Sequence, residues 1–395
     1  MLLATVLSPA TAASCGARTA LDGPGVDAGS TMSAPADAGV DAPEAGATDG
    51  NRGVSVSSIA AGWDYTCALL SDDTARCWGE DDTGQLGSGS VPPAGSGAVP
   101  LVGVSSLRSL SAGYTHGCGI GAGNVLECWG DNGLGECGVG GVAMQISPRV
   151  VASDYVSVSA GFLYSCGIRS DGSGACWGVD DHGQGGSPSF MNAHTPRTVV
   201  GLSGAVAVSA NDYVTCARLA DGGLSCWGLD LRNASEMSNP TPVVVAGLTQ
   251  PVTDVAVGSQ HACALLADGT VVCWGYGGYG ELGLGQGVTW AVMPTPVPGA
   301  FPAKAIASGQ NHSCSVLVSG AVRCWGNDSL DSMGTFVPSA VPGITTATQL
   351  AAGDSHDCAL LANGDVVCWG DNGQGQLGDG TTTSSLSPVK VLGLP

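Results

Sequence analysis

Fourteen cysteines carry the most reactive chemistry in this sequence, and their spacing is constant. The tripeptide Cys-Trp-Gly begins at Cys77, Cys128, Cys176, Cys226, Cys273, Cys324 and Cys368. Another cysteine precedes each by ten positions, at Cys67, Cys118, Cys166, Cys216, Cys263, Cys314 and Cys358. Paired thiols either ligate metal or oxidise to disulfides. These pairs lack the close two-residue spacing of zinc sites, and local register favours oxidation. In the fifth copy, a three-residue hairpin loop with glycine third, Ala267-Asp268-Gly269, sets position 266 opposite 270. Counting outward puts Cys263 opposite Cys273, with Cα atoms about 4.5–5.5 Å apart, which suits a disulfide. The sequence therefore predicts seven bridges, each inside its own repeat and each worth at most roughly 2.8 kcal/mol of chain entropy. Of the 16 cysteines, Cys15 and Cys137 remain. Cys137 stands in GECG where other copies have leucine, which predicts a buried free thiol.

Other reactive side chains read as structural. The slot two before the first cysteine holds Tyr65, His116, Tyr164, Val214, His261, His312 and His356. One histidine per repeat, exchangeable with Tyr or Val, predicts packing or a backbone hydrogen bond rather than metal or catalysis. Asp81-Asp82, Asp131-Asn132, Asp180-Asp181 and Asp371-Asn372 recur just after Cys-Trp-Gly. Such residues favour turns by bonding their own backbone, and no full calcium-loop spacing appears. The run GYGGYGELGLGQG (275–287) lacks the Lys-Ser/Thr of a phosphate loop, and no nucleophile elbow stands out. The expectation is a chain without catalytic residues, metal or cofactor.

These residues must be positioned by a repeated unit. The first cysteines advance by 51, 48, 50, 47, 51 and 44 residues. Within the fifth copy, PVVVAGL (242–248), VTDVAV (252–257) and the two runs of HACALLADGTVVCWG (261–275) are short apolar segments bounded by Gly, Pro or Asp. They read as four strands, and four strands per 40–50 residues is the period of a propeller blade. CALL and VVCW are apolar on both faces, as strands wedged between neighbouring sheets must be. The predicted fold is all-β, a seven-bladed propeller of four-stranded antiparallel blades over 54–395. Loop lengths suggest where a blade begins: the link from the Pro-Val strand to the alternating strand has hairpin length, while about twenty residues separate Cys-Trp-Gly from the next Pro-Val strand. Each blade should then open on its Pro-Val strand. The region begins on an alternating strand, SVSSIAAG (55–62), and ends on an orphan Pro-Val strand, SPVKVLGL (387–394). The C-terminal strand is therefore expected to close the ring against the first blade.

The pattern is clearest in AAGDSHDCALLANGDVVCWGDNGQGQLGDGT (351–381), which resembles the regulator of chromosome condensation repeat. The resemblance spans about 54–395, and seven copies match that family's usual ring. Copies four and six depart from it, with GLDLRN and GNDSLD in place of the GQLG loop, so their loops should differ in shape while the blades survive. The resemblance implies a propeller that presents loop faces to protein partners.

The N-terminus, MLLATVLSPATAASC, resembles a lipoprotein signal ending on Cys15, although Ala12 stands where Leu is usual and no basic region leads it. Residues 16–53 are rich in Ala, Gly, Asp, Pro and Ser and read as a disordered tether. Export, lipidation at Cys15 and an extracytoplasmic place, anchored or secreted, are the resulting expectations, and paired cysteines agree with an oxidising compartment. No run of 18 apolar residues predicts a transmembrane helix. The net charge of −21 repels nucleic acid and anionic membranes. A monomeric, non-catalytic protein-binding or scaffold module is the leading reading. Large apolar residues in the variable loops are its expected contacts, with Trp290, Phe190, Met191 and Phe336 foremost, then Met144, Met237, Met293 and Met333. An inhibitor of a secreted enzyme, a glycan-active enzyme with carboxylates at the ring mouth, and nucleotide exchange as in the family's eukaryotic namesake are the alternatives.

Overall fold

The computed structural model describes residues 53–91, 97–104, 106–232, 237–327 and 334–395. Segment 1–15 with Cys15, and all but the last residue of 16–53, lie outside the described residues. The described chain forms seven four-stranded antiparallel sheets, each in simple sequential order. In the fifth blade the strands are Val252–Val257, His261–Leu266, Val271–Tyr276 and Trp290–Pro296. The alternating strands are innermost and adjoin one another around the ring. The two cysteine strands follow, and the Pro-Val strand lies at the rim.

Both-face burial explains the apolar runs: all six residues of Tyr65–Leu70 and of His261–Leu266 are buried. The hairpin between the cysteine strands has the predicted register, with Leu266 N–H donating to Thr270 O at 2.9 Å and Cys263 facing Cys273. Gly269 sits there at φ 84°, a conformation that glycine alone adopts without cost.

The expected blade boundary and ring closure are corrected by the sheet order. The Pro-Val strand pairs with the Cys-Trp strand before it, as Cys273 with Thr295, not with the alternating strand after it. The C-terminal strand Ser385–Lys390 likewise pairs with Val366–Gly370 of its own blade. The first blade is complete without it, as Val56–Ala61, Tyr65–Leu70, Ala75–Gly79 and Val99–Pro100. Hairpin length is a preference and not a requirement. The link between Val244 and Val252 can reach roughly 23 Å when extended, more than the three strand spacings of about 4.8 Å that separate rim from centre. The short link therefore crosses between blades. The long segment folds back as a compact loop within its own blade.

Ring closure is made by side chains and by a backbone bond from Asp354 N–H to Trp63 O. Val56, Ile59 and Trp78 of the first blade share one apolar cluster with Ala351, Leu377 and Val391 of the last. Because strands alternate in direction, the long loops and the turns after the innermost strands share one face of the ring; Glu80 N–H donates to Asp64 O there.

Candidate functional site

All seven cysteine pairs are bridged within their blades, with Cα separations of 4.0–4.1 Å, closer than register alone suggested. Cys137 is a buried free thiol, and burial pushes its pKa well above the usual thiol value. The histidine slot bonds to the next blade rather than to a ligand. His116 Nε2 meets Ser165 Oγ at 2.7 Å, His261 meets Ser313 at 2.8 Å, His356 meets Thr66 at 2.7 Å, and His312 meets Asp357 at 3.0 Å. Burial lowers the pKa of His116 and His356 to about 4 and of His261 to about 3, so these rings are neutral. His312, Cys314 and Asp357 place donor atoms within 4.8 Å of one another, but Cys314 Sγ is bonded to Cys324 and offers no thiolate.

The long loop turns out to be a latch between blades, built by its own polar residues. Asp81, Asn132, Asp180 and Asn372 each accept, through Oδ1, the N–H five residues on. The Gln or Glu of the GQLG motif accepts the N–H two residues back, as Gln85 does from Thr83 and Glu281 from Tyr279. The loop so folded aims that residue's carbonyl at the tryptophan of the next blade. Trp129, Trp177, Trp227, Trp325 and Trp78 donate Nε1–H to the carbonyls of Gln85, Glu136, Gln184, Glu281 and Gln376 at 2.8–2.9 Å. The last of these joins the seventh blade to the first.

Two junctions have no such bond among the described residues. Copies four and six lack the motif, as the sequence showed, and a cleft lies at each of these junctions. The cleft between the fourth and fifth blades has a volume of about 140 Å³. Trp227 and Trp274 form its floor, and Val243, Val244, Val292 and Met293 of two rim strands form its walls. The Asp230–Arg232 ion pair, 2.8 Å long, stands at its lip. At this junction Val214 replaces histidine and Ala262 replaces the hydroxyl partner, so the bond from the histidine slot to the next blade is missing as well. The other cleft, between the sixth and seventh blades, contains Trp369, His312 and Asp357.

The expected contact residues divide. Met191, Met237 and Met293 are 64%, 63% and 54% exposed, and Phe190 and Met144 are also exposed. Trp290 is half-buried instead. Its Nε1–H donates to Leu231 O at 3.1 Å and its ring meets Tyr276 edge-on at 5.9 Å, so it supports the cleft. Phe336 is half-buried on a rim strand whose carbonyl accepts from Gly285. Met333 lies outside the described residues. Sequence reading missed the rim valines Val244, which it read only as part of a strand, and Val292, beside Met293 in what it read as a loop.

It also missed the channel mouth. Trp63, Tyr114 and Phe162 follow the innermost strands of the first three blades and cluster with ring centroids 4.4–5.5 Å apart. No motif marks them, because the slot holds six residue types in seven copies.

Two family models of the regulator of chromosome condensation (RCC1) repeat match the sequence. One matches at residues 56–85, 252–281, 303–330 and 347–376, the other at 268–316 and 363–395. Among solved structures, human WBSCR16 is similar at 23% identity and TM-score 0.67, over 78% of this chain and 87% of that one. Prp20p from Saccharomyces cerevisiae, described with its binding to Gsp1p and histones, is similar at 20% identity and TM-score 0.65, over 75% and 80%. The CRINKLY ectodomain of the Arabidopsis thaliana receptor kinase ACR4 is similar at 21% identity and TM-score 0.52, over 80% and 96%. Identities this low speak for the fold alone. The sequence thus carries RCC1 repeats at the matched residues, and the described chain arranges its repeats as a seven-bladed propeller of four-stranded sheets.

Proposed function

We propose that this chain is a non-catalytic, extracytoplasmic protein-binding propeller whose partner docks at the rim, at the junction of the fourth and fifth blades. The carrying observation is the cleft itself. Where five junctions are shut by a carbonyl latch, this one leaves an apolar floor and exposed Val244, Val292 and Met293 beside Met237. Apolar and methionine-rich concavities suit side-chain anchors of a partner. Phe190 and Met191 extend the loop-face surface on the third blade, and Trp290 and Phe336 act as supports. The surrounding charge of −21 favours a partner of basic character.

Seven intra-blade disulfides suit an oxidising compartment. The N-terminal segment supports export, with Cys15 as a lipid anchor. No helix among the described residues is long and apolar enough to cross a membrane. Likeness to Prp20p and to a receptor ectodomain agrees with a binding role on either side of a membrane; the disulfides favour the outside.

Affinity capture from the cell envelope with the intact propeller, repeated with Val244→Ser and Met293→Ala, tests the reading. The wild type should retain a partner that the double variant loses while keeping its melting temperature. Retention by both would place the partner elsewhere on the ring.

A further inference from the structure

The seven turns that follow the innermost strands are structurally equivalent, and the fold demands no side chain there. Their first residues are Trp63, Tyr114, Phe162, Asp212, Ser259, Gln310 and Asp354. The chemistry is segregated around the ring, with three consecutive aromatics and then a polar arc carrying two carboxylates.

The aromatics and Asp354 stand at one end of a central cavity of about 290 Å³. Small residues of the innermost strands line it, among them Ala61, Ser111, Ser159 and Ala352. No Lys or Arg is among its lining residues. Trp63 and Asp354 are direct neighbours, with Asp354 N–H donating to Trp63 O at 3.4 Å. Asp64, next in sequence to Trp63, is held by Gln376 Nε2–H at 2.9 Å.

We propose that this mouth binds an organic cation, an alkylammonium or guanidinium group seated on the Trp63–Tyr114–Phe162 wall and neutralised by Asp354 and Asp64. Ring faces carry negative quadrupole charge and attract soft cations. Carboxylates beside them supply the net charge, and the small-residue cavity supplies room. The ion pairs among described residues include none of Asp64, Glu80, Asp354 or Asp371. Desolvation and the mutual repulsion of these four push the pKa of Asp64 up to about 7. A bound cation relieves both. The proposal stands apart from the rim cleft, because it concerns the ring centre.

Calorimetric titration of the whole propeller with choline, butylamine and methylguanidine tests it, with 3,3-dimethylbutan-1-ol as the uncharged shape match of choline. At least one cation should bind saturably, and the alcohol at least fivefold more weakly. N-acetyl-lysine methylamide, run beside choline, separates a partner's lysine from a free ammonium compound as the natural source. Asp354→Asn and Trp63→Leu should each weaken binding at least fivefold. Trp63→Phe keeps an aromatic face and should restore most of it, whatever Trp63→Leu does to folding. No saturable binding of any cation, equal binding of the alcohol, or an unchanged affinity in Asp354→Asn would overturn the proposal.

Discussion

At the scale of residues, one indole nitrogen distinguishes closed junctions from open ones. Trp→Phe in Cys-Trp-Gly removes a similar volume from each blade, but only five of these seven tryptophans donate to a loop carbonyl among the described residues. Trp78→Phe and Trp129→Phe should therefore each cost about 1 kcal/mol more than Trp274→Phe, read from denaturant midpoints at constant slope. Equal costs at all three would remove the latch from the account. Titrating groups oppose one another. Asp64 and Glu281 have pKa values raised to about 7 from 3.8 and 4.5. Their favourable contribution is complete below the unfolded values and is lost as pH rises through 7. His116, His261 and His356 are lowered from 6.5, so their contribution is present above 6.5 and lost as pH falls toward 4. Asp81 and Asp254 are likewise raised, to about 6, so the melting temperature should fall as pH rises from 6.5 to 8. Asp64→Asn with Glu281→Gln should raise it at pH 8 and change it little at pH 5, and a melting series across that range checks both statements.

At the scale of elements, the latch loop joins a polar turn to a glycine that must approach an indole. Gly378 has φ 65°, and a Cβ there would lie 2.7 Å from Trp78 Nε1. Gly378→Ala should destabilise by about 1–3 kcal/mol through strain and overlap, and thermal melting against Gly299→Ala, where the glycine also has positive φ but nothing lies within 4 Å, isolates the overlap. Strand positions and disulfide register were legible in the sequence because hairpin chemistry is local: Asp268-Gly269 sets one register and the cysteines repeat it. The latch was not legible. GQLG stood out as a motif, but its role depends on a carbonyl meeting a tryptophan 41 to 44 residues later, or at the far end of the chain where the ring closes, and sequence spacing does not show which loop faces which blade. The blade boundary was misread for a related reason, since loop length was taken to decide pairing.

At the scale of the whole molecule, the ring is seven complete sheets held by side-chain contacts and by backbone bonds between loops, such as Tyr114 N–H to Gly161 O, with no strand shared between its ends. Chain ends placed at any blade-to-blade link should then serve equally well. A circular permutant opened at 248–249 and joined through the native ends should fold as a monomer with a nearly unchanged melting temperature, whereas closure by a shared strand predicts large loss. The function rests on how the repeats differ. Copies with the motif shut their junctions, and copy four, which lacks it, leaves an apolar cleft with exposed rim side chains. The most direct measurement places a photo-crosslinking amino acid at Met293 in the intact cell, with Val318, on the opposite face, as the control position. Crosslinking at 293 to one protein of the envelope, absent at 318 and lost with Val244→Ser, is the predicted result; no adduct at 293, or the same adducts at both positions, would contradict the account.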